Sequence, residues 1–391
     1  VYLQGGFFVK RTNEAKWSEK EKRWRIAVQK DGVRKVFTSS TPGRAGKRET
    51  HAKADAWLED DISGSVTVER AWNEYMEHLS LTNKKSALLR LDCDGSNYIV
   101  PLIGHKKVDK ITEEKLQDIL DKAYQHGSFN PDKKQRRPPS LPLSRKTLMN
   151  LRGTIISFFK YLRRCKYTTL LPESLTIPKG ARYKGKKVLQ PQALVTLFSE
   201  DTTIFHGKRI FDKYIYAYRY QVACGLRPGE LKGIQVGDIN PKNNRVSLQR
   251  SINILGEETT GKNKNSIRAF VMPALAKEAY ECQLELLRSM GVKINLTTPL
   301  FNIPSQSSYY KAWSRYLESN NIPHISPYEL RHTFVSIAKS LPEGQIKAVV
   351  GHSLNMDTFG IYGHYITGED VETAENITNL FSHVIQRVKV E

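Results

Sequence analysis

Between Ser144 and Arg164 the apolar residues Leu148, Leu151, Ile155, Phe158, Phe159 and Leu162 fall on one helical stripe. Arg145, Lys146, Arg152, Lys160, Arg163 and Arg164 take the other positions, and Ser144 supplies an N-cap. A helix with that stripe must bury it against further elements, so the chain has to enclose a helical core. The same period recurs at Val68, Ala71, Trp72, Tyr75 and Met76, and at Ile111, Leu116, Ile119 and Leu120. Near the C-terminus it returns at Leu330, Phe334, Ile337 and Leu341. Leu341-Pro342-Glu343-Gly344 breaks that helix, and a short helix over 345–350 is stopped by Gly351 as a left-handed cap.

Strand signals are fewer. Residues 23–28 and 33–38 alternate around Lys30-Asp31-Gly32, a hairpin turn signal, and a helix follows from about Gly46 to Leu58 with Ala54, Trp57 and Leu58 inward. Further strands are expected at 246–250 and 268–272, flanking a tip that carries Lys262 and Lys264. Helices are expected from Pro191, with proline at the first position, and from about Phe211 to Cys224, ending at Gly225. The fold class is therefore α+β and mainly α. It comprises a small β-sheet-plus-helix N-terminal domain (1–62), a helical domain (63–178), a basic linker (179–187) and a mixed, mostly helical domain with a small β-sheet (188–391). A Pro-rich basic loop lies near 127–142, and the linker combines glycines with cations and lacks apolar periodicity.

With 61 Lys+Arg against 40 Asp+Glu, the formal charge is +21, which favours polyanions and nucleic acid first among them. The basic hairpin suits a major groove. Cys93, Cys165, Cys224 and Cys282 are scattered without a CxxC pair, as expected of reduced thiols rather than zinc ligands or disulfides. No apolar run approaches the ~18 residues of a membrane span. A cytoplasmic protein is expected.

Chemistry concentrates in the stretch from Ser326 to Tyr365. A guanidinium clamps phosphate through paired hydrogen bonds, and a phenol becomes a nucleophile when cations and a proton acceptor activate it. Arg331, His352 and Tyr362 lie in this stretch, while Arg227 stands at a helix junction, with Glu230 three residues on to fix its rotamer.

Gly225-Leu226-Arg227-Pro228-Gly229-Glu230-Leu231 resembles the first arginine box of the tyrosine recombinases, of the integrase type found in phages and conjugative transposons. Gly261-Lys262-Asn263-Lys264-Asn265-Ser266-Ile267-Arg268 is similar to their lysine hairpin. Leu330-Arg331-His332-Thr333 resembles the second arginine box, Gly351-His352-Ser353 the histidine box, and Tyr362-Gly363-His364 the nucleophile box. These boxes cover about 190–365; the helical region before them resembles a core-binding domain, and the N-terminal module an arm-binding domain.

The resemblance implies that Arg227 and Arg331 hold one phosphate while Tyr362 attacks phosphorus to form a 3′-phosphotyrosyl link. Lys262, or Lys264 as runner-up, protonates the leaving 5′ oxygen, and His352 bonds the phosphate. Tyr365 is the rival nucleophile. Tyr328 stands where the family usually has histidine; a phenol can donate to phosphate but cannot shuttle protons near neutral pH. The implied partners are double-stranded DNA at core and arm sites, a homotetramer, and excisionase or DNA-bending accessory proteins. No cofactor is implied, neither ATP nor a metal, and the sequence contains no GxxxxGK[ST] loop or acidic metal cluster. The expected activity is integration and excision of a mobile element in a bacterium; a type IB topoisomerase-like enzyme or a non-catalytic DNA-binding relative is the alternative. The apolar stripe Ile377, Leu380, Phe381, Val384, Ile385 and Val388 predicts a C-terminal helix, which in the family docks on a neighbouring protomer; docking onto its own domain is the alternative, and the sequence does not choose between them.

Overall fold

A computed structural model describes residues 13–30, 33–60, 66–130, 142–183, 185–260, 266–351 and 369–390. The chain divides into two compact units, Val1–Lys184 and Gly185–Glu391. The division falls inside the basic stretch 179–187.

The first unit opens with an antiparallel sheet of β1 (Lys16–Ser18), β2 (Arg23–Lys30) and β3 (Val33–Ser39), in that order. Strand β1, which the sequence pattern did not suggest, pairs Trp17 with Trp24. Ile26 and Val28 share the covered face with Ala15 and with Ala54 of α1 (Gly43–Asp60). Trp24, Phe37 and Trp57 close over them. Asp31 and Gly32, the expected turn, lie outside the described residues.

Helix α2 (Val68–Ser80) is capped by Thr67 and buries Val68, Ala71, Trp72 and Tyr75. Helix α3 (Lys85–Asp94) runs through one π turn into α4 (Val100–Ile103). Helix α5 (Glu113–His126) starts after Thr112, so Ile111 is buried just ahead of the helix. The striped helix is α6 (Arg145–Arg164); the Ser144 hydroxyl accepts from the Thr147 N–H, and all six stripe residues are buried. Phe158 packs edge-on against Trp72 with ring centroids 5.0 Å apart. The basic residues 133–137 lie outside the described residues.

In the second unit, α7 (Pro191–Ser199) leads to an antiparallel ribbon of β4 (Thr202–Phe205) and β5 (Lys208–Phe211). The expected helix from Phe211 therefore starts later, as α8 (Ile215–Cys224). Its first position, Phe211, is the last residue of β5, which pairs back through the left-handed residues His206 and Gly207. Helix α8 is buried almost all round, and α9 (Pro228–Gly233) follows it directly.

Strands β6 (Ile239–Asn240), β7 (Arg245–Leu248) and β10 (Arg268–Val271) form an antiparallel sheet in the order β10-β7-β6. The ribbon of β8 (Ser251–Ile252) and β9 (Glu258–Thr259) lies between β7 and β10 in sequence. Helices α10 (Ala274–Ser289), α11 (Gln306–Ser319), α12 (Pro327–Ile337), α13 (Glu343–Val350) and α14 (Glu369–Val390) complete the unit.

Helix α14 lies on its own unit. Ile377 and Phe381 are buried in its core, Thr378 Oγ1 accepts from the Ala274 N–H at 3.0 Å, and Asp370 pairs with Arg245. Among the described residues no helix is long and apolar enough to cross a membrane.

Candidate active site

Helix α8 has no solvent-facing stripe and ends at Gly225, where φ is +61°. A Cβ there would lie 2.6 Å from the Phe334 ring of α12. Glycine thus serves both the left-handed turn and the close helix approach. Gly225→Ala is expected to cost about 2–4 kcal/mol, combining left-handed strain with overpacking. Chemical denaturation would measure it, and an unchanged midpoint would remove the close-approach argument.

The turn delivers Arg227 to the N-cap of α9, and Pro228 is the first helical residue. Glu230, at the third position, accepts the Arg227 backbone N–H through Oε2 at 2.9 Å and Arg227 Nη1 through Oε1 at 2.6 Å. One carboxylate therefore holds both the backbone N–H and the guanidinium of Arg227. Buried Gln221 secures the turn: its Nε2 donates to Leu226 O and Pro327 O, and its Oε1 accepts from the Tyr309 hydroxyl. That amide ties the start of α12 to the Arg227 turn.

Helix α12 begins with Pro327 after Ser326, whose N–H donates to Glu329 Oε2 at 2.7 Å. The other Glu329 oxygen accepts the Lys187 N–H at 3.0 Å, and Thr333 Oγ1 accepts the Leu189 N–H at 3.0 Å. Arg331 lies between these contacts. It stands off the apolar stripe, yet it is only 2% exposed, a level of burial that periodicity could not reveal. Its Nη1 donates to Gly225 O at 2.9 Å and its Nη2 to Val350 O at 2.6 Å. Burial first, and then the neighbouring Arg227 charge, push the Arg331 guanidinium down to about 10.

Tyr328, one turn before His332, is 38% exposed and meets that imidazole edge to face at 5.4 Å. Lys186 Nζ lies 6.0 Å from the Tyr328 ring centre. Burial and then the Lys186 charge hold His332 below the usual imidazole range.

Helix α13 ends at left-handed Gly351, as the sequence pattern predicts. Its last carbonyls receive three different arginines: Val349 O accepts from Arg268 Nε at 2.6 Å, Val350 O from Arg331, and Gly351 O from Arg227 Nη2 at 3.4 Å. The negative end of a helix suits these cations. Arg268 also grips Glu230, Nη1 to Oε1 and Nη2 to Oε2, each at 3.1 Å. Burial would raise the Glu230 carboxyl, but the Arg268 bonds and charge, with Arg227, hold it below the ordinary range.

The structure thus brings Arg227, Glu230 and Arg331 together, with Tyr328 at the edge. Lys262 and Lys264 (within 261–265) and His352, Tyr362 and Tyr365 (within 352–368) lie outside the described residues. Among the described residues no three His, Cys, Asp or Glu side chains converge as a metal site requires. Three guanidiniums around one carboxylate leave an excess of positive charge, suited to an anion with several oxygens.

Residues 187–367 match the model of the phage integrase family. A protein of Caldanaerobacter subterraneus subsp. tengcongensis described as tyrosine recombinase XerC-like is 23% identical over 419 residues, covering 95% of this chain and 99% of the relative. The fold is similar to the Tn1549 transposon integrase in complex with a circular intermediate DNA. That match has a TM-score of 0.59 at 16% identity, over 79% of this chain and 98% of the other. It is also similar to a lambda integrase dimer bound to a core site, with a TM-score of 0.53 at 13% identity over 92% and 98%. The arginine-lined end of α13 and the ordered motif boxes fall within residues 187–367, the segment that matches the phage integrase family.

Proposed function

We propose that Arg227 and Arg331 grip the non-bridging oxygens of one DNA phosphate and stabilise the charge that builds there during displacement. The observation that carries this is the pair of guanidiniums on adjacent carbonyls, Val350 O and Gly351 O, with excess positive charge around a single carboxylate. Tyr362 gives up its hydroxyl proton to solvent as Oη forms the new bond to phosphorus, the bond to the 5′ oxygen breaks, and Lys262 passes its proton to that oxygen. Lys264 is the alternative acid. His352 and the Tyr328 hydroxyl donate to the phosphate. The product is a 3′-phosphotyrosyl link, whose retained bond energy lets a partner strand's 5′-hydroxyl reverse the step.

Residues 1–62 read arm-type DNA sites, 63–178 grip the core site, 179–187 link the two, and 188–391 cut and rejoin. A homotetramer brings four such sites to two duplexes, a reading supported by the lambda integrase tetramer bound to a Holliday junction. Excisionase or DNA-bending proteins assist, and the protein works in the bacterial cytoplasm on the DNA it integrates and excises. The lack of a spanning helix among the described residues is compatible with that setting.

The test is incubation with a nicked suicide duplex carrying the cognate core site, followed by denaturing electrophoresis and peptide mapping. A denaturation-resistant adduct on a peptide ending the 3′ strand at Tyr362 is expected. Attachment at Tyr365 would reassign the nucleophile, and no adduct on a mapped site would sink the proposal.

A further inference from the structure

We propose that Arg268 is the positioning residue that locks the phosphate clamp, the start of β10 and the end of α13 into one frame. The inference rests on the reading that Arg227 and Arg331 bind the scissile phosphate. Arg268 is the first residue of β10, and 261–265, with Lys262, lie just before it. Its side chain is 7% exposed. The Nε–H goes to Val349 O, Nη1 to Glu230 Oε1 and Ser266 O, and Nη2 to Glu230 Oε2. Those bonds use all but one of the N–H donors a guanidinium has.

Donor accounting separates it from the other two arginines. Arg331 bonds two single carbonyls, and Arg227 holds Gly351 O only at 3.4 Å, so both can turn donors to a phosphate. Arg268 has one N–H left and cannot offer a phosphate a paired clamp without giving up a bond it makes here, and Glu230, which takes two of those bonds, is what holds Arg227. Its planar fork matches the carboxylate edge, while its Nε reaches the helix end one residue before the carbonyl that Arg331 takes. Movement of Arg268 would therefore displace Arg227 and the exit from α13 together. A misplacement of that kind slows chemistry without removing a DNA contact.

The experiment compares wild type, Arg268→Ala, Arg268→Lys, Glu230→Gln and the double variant Arg268→Ala/Glu230→Gln at saturating suicide duplex in single turnover. Loss of folded protein lowers the amplitude of adduct formation, whereas displaced geometry lowers its rate constant. Arg268→Ala is expected to bind DNA within about threefold of wild type while its rate constant falls roughly 100-fold. Arg268→Lys, which keeps the charge but loses the fork, falls about tenfold. The double variant should be no slower than the worse single one, because both changes break the same link.

A wild-type rate constant in Arg268→Ala, fully additive losses, or weakened binding with an unchanged saturated rate would each overturn the proposal. If wild type itself makes no adduct, the recombinase chemistry proposed above is what fails. Hydrogen exchange at the α13 amides of Arg268→Ala then decides the present point: faster exchange supports it and unchanged exchange ends it.

Discussion

Arg331→Ala is expected to lose strand cleavage by at least about a thousandfold and to unfold more readily by about 2–4 kcal/mol. The stability loss has two sources: Gly225 O and Val350 O each lose their partner, and a large side chain leaves a cavity. A third effect has the opposite sign. The guanidinium is pushed down to about 10 by burial, so the folded state disfavours its charged form. That cost is present in full at neutral pH and is relieved only as the pH rises from about 10 towards the unfolded value. Arg331→Met, which fills the volume and removes the buried charge, should therefore be nearer wild-type stability, within about 2 kcal/mol. It should cleave no better than Arg331→Ala. Urea denaturation and single-turnover adduct formation would separate the two quantities. Cleavage in Arg331→Met within tenfold of wild type would show that the guanidinium does not hold the phosphate.

Glu230→Ala should be among the most destabilising single changes in the second unit, at about 3–5 kcal/mol. The carboxylate is 2% exposed and supplies the counter-charge for Arg227 and Arg268 directly and for Arg331 nearby. Its loss leaves buried cations facing one another. The pH dependence has a definite sign: the folded carboxyl lies below its ordinary value of 4.5, so its contribution is fully present above that value. The contribution is lost as the pH falls through the folded value. Wild type and Glu230→Gln should therefore differ most at neutral pH and converge under acid conditions, as followed by denaturant midpoints. An equal gap at both ends would mean that ionisation of Glu230 is irrelevant to the fold.

How much of this was legible beforehand depends on whether a residue's environment is local. The stripe of α6 and its Ser144 cap could be read because a helix reports its buried face at fixed spacing. Glu230 was legible for the same reason, three residues from Arg227 at a helix start. Ribbon β4–β5 was not: Ile204, Phe205, Ile210 and Phe211 are each about two-fifths exposed, so their spacing marks no buried face. The His206-Gly207 turn was the available signal. Arg268 was visible as part of the lysine box, but its grip on Glu230, 38 residues away in sequence, is tertiary. Gln221, whose amide joins two distant turns, carried no sequence signal.

The three arginines on the end of α13 and the pairing of Asp370 with Arg245 anchor the two ends between which residues 352–368 run. Tyr362 is eleven residues from Gly351 and eight from Asp370. An extended chain covers at most about 3.5 Å per residue, so the shorter leash confines its Cα to roughly 28 Å of Asp370. While both anchors hold, the phosphate that the proposed nucleophile Tyr362 attacks must lie within this radius extended by one tyrosine side chain, which caps how far apart cooperating subunits can stand on the duplex.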